Sequence, residues 1–275
     1  MEGIKIIALD LDGTLLDSEK RLSEENRQAL EKAAAKGIEI VPTTGRVYNL
    51  IPEPVRQLPF IHYAVTVNGA ELYDVTKNRV LAKNELTWQK AVEIAEYLDG
   101  FDVVYDCYQN GGGYMTKAHL DKVGDYLTSD YFKEIYKKSR IPVPELKAYL
   151  QEQGEGVQKV QFCTKNQALR AFLLEDLKTR FSGVAVSTAL PYNGEVNDEK
   201  GHKGGALEAL CRHLGCTMEN VMTIGDGAND ITMLQMAGVS VAMGNATPEV
   251  KAAAKCVTGS CDENGVAQAI YKFIN

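Results

Sequence analysis

Two acids, Asp10 and Asp12, follow a short apolar run and precede Gly13 and Thr14. In extended backbone, residues two apart send their side chains to the same side, so two carboxylates are expected to leave one strand tip together. Such crowding is tolerated when a cation sits between the acids or when one of them is protonated, and Gly13 lets the chain turn sharply there. The run at residues 4–9 has the length and Ile content of a fully buried parallel strand, and open α/β sheets bind ligands at the carboxyl ends of their strands. The same logic selects Thr44, just past a second short strand at residues 38–41. It also selects Asp226, just past residues 221–225, with Gly227, Asn229 and Asp230 following. These residues are expected to meet at one edge of one sheet despite their distance in sequence. Oxygen ligands without a His or Cys cluster suit Mg²⁺, which takes one or two carboxylates, waters and substrate phosphate oxygens. Lys203 opens a helix whose Leu207, Leu210, Cys211 and Leu214 form the inward face, which brings a cation to that edge.

The elements that must carry these residues read as strand, helix, strand. Ser23 begins a helix with acids in its first turn; Ala29, Leu30, Ala33 and Ala34 share a face, and Gly37 ends it. Residues 38–41 and 63–67 give the next strands. After an interruption of more than a hundred residues the rhythm resumes at 221–225, 239–243 and 255–258. This predicts an α/β fold, a Rossmann-like doubly wound parallel sheet, with core segments 1–82 and 199–275 and an inserted α+β domain over 83–198. Within the insertion, helices are expected at 87–98, near 118–127 and at 167–181, the last with Leu169, Phe172, Leu173 and Leu177 aligned. Strands are expected near 102–106, 113–116, 157–163, 184–188 and 192–197, and 139–156 reads mostly as loop with a short helix near 145–151. Tyr108 and Asn110 lie beside Gly111-Gly112-Gly113, which reads as a hairpin tip with polar and aromatic groups available to a ligand.

Composition narrows the function classes. Thirty Lys and Arg against thirty-seven Asp and Glu give a formal net charge of −7, which argues against a nucleic-acid binder, since such proteins need a positive footprint. No stretch approaches the length of a transmembrane span, so no membrane partner and a cytoplasmic location are expected. The six cysteines form no Cys-x-x-Cys pair and read as free thiols in a reducing compartment. His62, His119 and His213 read as scattered surface or packing residues, and His202 as an exposed neighbour of Lys203. Gly225-Asp226-Gly227 lacks the third glycine of a dinucleotide fingerprint, and no P-loop motif occurs.

Asp-Leu-Asp-Gly-Thr-Leu-Leu from Asp10, Thr44-Gly45-Arg46, Asn68-Gly69-Ala70, Lys203-Gly204, Gly225-Asp226-Gly227-Ala228-Asn229-Asp230 and Val241-Ala242-Met243-Gly244-Asn245-Ala246 follow one another in order. In this arrangement the chain resembles the Cof-type phosphatases of the haloacid dehalogenase superfamily, and the insertion resembles their α+β cap of class IIB. Thr43 stands where alanine is more usual. The resemblance implies that Asp10 is the nucleophile, forming an aspartyl-phosphate, and that Asp12 is the general acid and then the base. It implies that Thr44, Gly45, Lys203 and Asn229 bind the phosphoryl group, and that Asp10, the Asp12 backbone carbonyl, Asp226 and Asp230 serve a Mg²⁺ ion. A substrate dianion beside ionised Asp10 and Asp226 brings about −4 to the site; Mg²⁺ and Lys203 reduce that to about −1, which allows attack on phosphorus. Crowding among the acids is expected to raise the pKa of Asp12 and so keep a proton ready for the leaving group.

The expected substrate is a small phosphorylated metabolite, a sugar phosphate or related ester, with Tyr108 and Asn110 as candidates for its specificity. Two other readings use the same residues: a phosphomutase or phosphotransferase, and a regulatory binding protein with weak catalysis.

Overall fold

The computed structural model describes residues 3–127 and 129–274. Among them the strands run β1 (Ile6–Leu9), β2 (Glu39–Pro42), β3 (Tyr63–Thr66), β4 (Glu71–Asp74), β5 (Arg79–Lys83), β6 (Val104–Gln109), β7 (Gly112–Thr116), β8 (Arg140–Val143), β9 (Lys159–Cys163), β10 (Val184–Ser187), β11 (Asn193–Asp198), β12 (Val221–Gly225), β13 (Val239–Ala242) and β14 (Cys256–Val257). The chain divides into two compact units: one holds the residues up to Lys83 and from His202 onward, the other Asn84–Gly201.

In the first unit a parallel sheet has the order β14-β13-β12-β1-β2. All four residues of β1 are fully buried, as a strand with parallel partners on both sides and helices on both faces requires. Ile7, Leu9, Met222 and Ile224 pack with Ala29, Leu30, Val266 and Ile270 of the helices Glu24–Ala35 and Gly265–Phe273. Ile6, Ala8 and Val221 pack the opposite way, with Ala206, Leu207 and Leu210 of the helix Lys203–Leu214. The first helix starts where Ser23 Oγ accepts the Asn26 N–H. The buried Asn26 side chain then joins the Leu15 carbonyl to the Ala267 N–H, tying the loop after β1 to both helices.

β3 departs from the expected parallel array. A single parallel bridge, Thr43 to Val65, joins it to the end of β2, and it then continues into the antiparallel sheet β3-β4-β5. The chain reverses at Val67, Asn68 and Gly69, all at positive φ. At Gly69 (φ +105°) a Cβ would lie 2.3 Å from the His202 carbonyl oxygen, so only glycine lets this turn seat against the start of the helix Lys203–Leu214.

The second unit holds a six-stranded sheet of order β10-β11-β9-β6-β7-β8, antiparallel except for the pair β7–β8. Tyr105, Cys107, Val160, Phe162 and Val196 pack against the helices Trp88–Leu98, Leu146–Gln153 and Gln167–Arg180. Alternate residues of β6 and β9, with β11, are buried too, but polar: Arg140 Nε donates to Asp106 Oδ2, and Lys159 Nζ to Glu195 Oε1 at 2.8 Å.

Three sequence expectations fail here. The helix Asp130–Ser139 was not foreseen, because it is short and Tyr136 is its one buried residue, with Phe132 packed partly against the same cluster. Residues 140–143, read as loop, form β8; this is an edge strand, where a proline such as Pro142 is tolerated. Phe172, aligned with the buried face of its helix, is half exposed. No helix among the described residues is long and apolar enough to cross a membrane. All six cysteines are free, with Cys107, Cys163, Cys211 and Cys261 buried.

Candidate active site

Asp10 ends β1, its N–H still bonded to the Ile224 carbonyl of β12 at 3.0 Å, which fixes its backbone between the two central strands. Asp226 follows β12, and Asp230 closes the next turn by accepting the N–H groups of Asp226 (2.9 Å) and Gly227 (2.8 Å) on Oδ2. Lys203 is the first residue of its helix and is fully buried. Its Nζ donates to Asp10 Oδ1 at 2.7 Å and to Asp230 Oδ1 at 2.6 Å. His202, expected as an exposed neighbour, instead caps this helix, its Nδ1 accepting the Gly205 N–H at 3.0 Å.

Oxygens of Asp10, Asp226 and Asp230 lie within 4.8 Å of one another. Burial raises the Asp10 carboxyl well above its ordinary value, Lys203 opposes this, and Asp230 and Asp226 add to the rise. Burial, then Asp230, pushes Asp226 up to about 7. Lys203 moves the other way: burial alone would lower its pKa, but Asp10 and Asp230 hold it above the usual lysine range. One buried ammonium among three carboxylates leaves a site that favours another cation, and the donors are hard oxygens of the kind Mg²⁺ takes.

Asp12 does not join the cluster, which corrects two expectations. The chain leaves extended geometry immediately after Asp10, with Leu15 N–H returning to the Asp10 carbonyl and Leu16 N–H to Leu11, so the alternation of an extended strand does not carry through to Asp12. The Asp12 carboxylate is held by Arg46 through two bonds, Nε at 2.7 Å and Nη2 at 2.8 Å, and by Lys20 at 3.0 Å. Burial would raise its pKa, but the Arg46 fork and Lys20 outweigh that and lower it, where acid crowding was expected to raise it.

Thr44 is buried just past β2, its Oγ1 accepting the Arg46 N–H, while Thr43 Oγ1 is turned back to the Val41 carbonyl. Asn229 donates to Asn68 Oδ1 at 3.0 Å. A Cβ on Gly45 would lie 2.8 Å from that same oxygen, so Asn68 joins the loop after β2 to the loop after β12. Tyr108 and Asn110 do not share a loop. Tyr108 is buried inside β6 and its hydroxyl accepts from Arg140 Nη2, while Asn110 sits at the turn and bonds Glu155.

Sequence reasoning missed Lys20, Arg46, Asn68, Thr14 and Asn245 as site residues. Four of these stand inside the quoted motifs, and Lys20 carries no local signal.

A profile of haloacid dehalogenase-like hydrolases matches residues 7–270. The chain belongs to the haloacid dehalogenase-like hydrolases. Among members of this family it is 32% identical over 271 residues to the 5-amino-6-(5-phospho-D-ribitylamino)uracil phosphatase YcsE of Bacillus subtilis, covering 98% of this chain and 96% of that one. It is 31% identical to the pyridoxal phosphate phosphatase YbhA of Escherichia coli, over 98% of each. A haloacid dehalogenase-like hydrolase of B. subtilis superposes with a TM-score of 0.84 at 25% identity, over 98% of this chain and 100% of the other.

Proposed function

We propose that this hydrolase cleaves small phosphate monoesters with the help of Mg²⁺, through a phosphorylated Asp10. The observation that carries the reading is the buried Lys203, bonded to both Asp10 and Asp230 at the carboxyl ends of β1 and β12. Once a divalent cation offsets the three carboxylates, a fully desolvated ammonium at a strand tip suits an anion there, and the small phosphate esters named for two relatives are anions of that kind.

In this reading an Asp10 oxygen attacks phosphorus, the bond from phosphorus to the ester oxygen breaks, and the departing alkoxide takes a proton from Asp12. Water then loses a proton to Asp12 and attacks the same phosphorus, the Asp10 oxygen leaves, and inorganic phosphate is released. Thr44, Gly45, Lys203 and Asn229 hold the phosphoryl oxygens in both halves. Asp10, the Asp12 carbonyl and Asp226 would hold Mg²⁺, with Asp230 behind them positioning Lys203 and the 226–230 turn. When bound, the ion neutralises charge on the phosphoryl group and on the carboxylates. The pairing of Asp12 with Arg46 and Lys20 favours its ionised form and so suits the second half-reaction, in which it accepts water's proton. The first half-reaction requires that pairing to loosen.

The test is phosphate release from a panel of about a hundred metabolite esters with Mg²⁺, repeated with Asp10→Asn. Release by the wild type and its loss in the variant, with the fold retained, supports the reading. Phosphate appearing on a second alcohol instead of free in solution replaces it with a transferase, and near-normal release by Asp10→Asn removes the nucleophile.

A further inference from the structure

The motif Met243-Gly244-Asn245-Ala246 follows β13, and nothing in the reaction described above uses it. Asn245 nevertheless reaches the centre of the site. Its Nδ2 donates to the Gly13 carbonyl at 2.8 Å and lies 3.4 Å from Asp226 Oδ2, while its Oδ1 accepts the Cys261 N–H at 2.9 Å. The Cys261 N–H decides which way the amide faces. Reversed, the side chain would set an oxygen against the Gly13 carbonyl and the Asp226 carboxylate, and an NH₂ against an N–H.

The other Asp226 oxygen is fixed independently, since Thr14 Oγ1 donates to Oδ1 at 2.7 Å. Gly13 (φ +90°) passes so close that a Cβ there would lie 2.5 Å from Asp226 Oδ2. The loop bearing Asn245 is itself pinned, with Gly244 N–H bonded to the Gly259 carbonyl at 2.9 Å and Lys251 Nζ bonded to the Gly244 carbonyl at 2.6 Å. Asp226 is therefore oriented by two loops, one after β1 and one after β13, and Asn245 joins both to the segment around Cys261.

We propose that Asn245 is a positioning residue for the metal-binding carboxylate. By holding the Gly13 carbonyl and Asp226 Oδ2 from one amide, it fixes the relative placement of the Asp10–Gly13 loop and Asp226, the two segments between which a divalent cation is to be shared. This rests on the proposed Mg²⁺ role of Asp226. Outer partners of metal ligands affect affinity through orientation, with losses of about 10- to 100-fold when removed.

The experiment compares wild type, Asn245→Ala and Asn245→Leu by calorimetric titration with Mg²⁺ in the absence of substrate, alongside thermal unfolding and the Mg²⁺ dependence of phosphate release. Asn245→Ala is expected to weaken Mg²⁺ binding about tenfold or more and to raise the half-saturating Mg²⁺ concentration in step. At saturating Mg²⁺ its kcat should return to within about threefold of wild type, a recovery that general damage to the fold would not give. Asn245→Leu keeps a similar size but removes the donor and the acceptor together without adding charge, and it should bind Mg²⁺ no better than Asn245→Ala. Unchanged Mg²⁺ affinity in both variants overturns the inference, as does absence of Mg²⁺ binding by the wild type. Weakened binding in the variants of a protein that hydrolyses none of the esters upholds Asn245 and refutes the hydrolase reading. Wild-type hydrolysis with unaltered Mg²⁺ binding in the variants does the reverse.

Discussion

Arg46 closes a two-bond fork on Asp12, Nε to Oδ2 at 2.7 Å and Nη2 to Oδ1 at 2.8 Å, while its third nitrogen, Nη1, donates to the Leu50 carbonyl at 3.0 Å. The guanidinium thus aims the carboxylate as well as balancing its charge. Replacing it by alanine is expected to lower kcat about 10- to 100-fold with a smaller change in KM, because aim matters most in the transition state. Arg46→Lys should recover only part of the loss, since an ammonium cannot reproduce the fork. Steady-state kinetics on any accepted ester decides it, and full recovery by lysine would show that charge alone suffices.

Lys203 is fully buried between two acids, so its removal leaves carboxylates without their counter-charge. Lys203→Met is expected to cost about 3–5 kcal/mol of folding stability in metal-free protein, the range seen when one member of a buried ion pair is deleted. Denaturant unfolding measures this. A loss below about 1 kcal/mol would mean that the acids take up protons or water at little expense.

Burial, reinforced by Asp230, brings the Asp226 carboxyl up to about 7 in the metal-free protein. A carboxyl raised in the folded state stabilises that state while protonated, fully so below its unfolded value and less as pH rises through 7. Metal-free protein should therefore lose the Asp226 contribution between roughly pH 4 and 7, and Asp226→Asn should flatten that decline. Proton and metal compete for the same oxygens, so Mg²⁺ affinity should fall by about tenfold per pH unit well below 7. Titrations at several pH values test this, and a constant affinity across that window contradicts it.

In the second unit Arg140 and Asp106 form a pair with both side chains almost fully buried. Arg140→Met alone should destabilise by about 3–5 kcal/mol, whereas Arg140→Met with Asp106→Leu should recover most of that, because the double change buries no unpaired charge. Thermal unfolding of the two variants provides the comparison, and equal losses would show that Tyr108 and Tyr136 depend on the pair.

Much of the arrangement around the sheet edge was legible because each site segment carries its own local signature. The buried run before Asp10, the helix start at Lys203 and the turn residues after Gly225 each fix a backbone position independently of distant parts of the chain. Asp12 was misplaced because extended geometry was assumed one residue too far, and the pull of Arg46 and Lys20 on it is a tertiary fact with no spacing rule behind it. β3 is a strand where one is expected and meets β2 in parallel at one bridge, but its antiparallel pairing with β4 was not legible, because an apolar run reads the same in either kind of sheet and the Asn68-Gly69 reversal decides it. The helix Asp130–Ser139 escaped notice because a single fully buried residue, Tyr136, leaves too little apolar periodicity to read.

β1 is flanked by β2 on one side and β12 on the other, and the latter begins only at Val221. During synthesis the ribosome must therefore deliver all of Asn84–Gly201 before the middle of the parallel sheet can close. Until then β1 has an open flank of unpaired amides and carbonyls, which invites association with other chains. Truncated products ending before β12 should thus collect in inclusion bodies, and even a soluble one would hold Asp10 without its ammonium partner. Hydrolytic competence arrives only with the last quarter of translation.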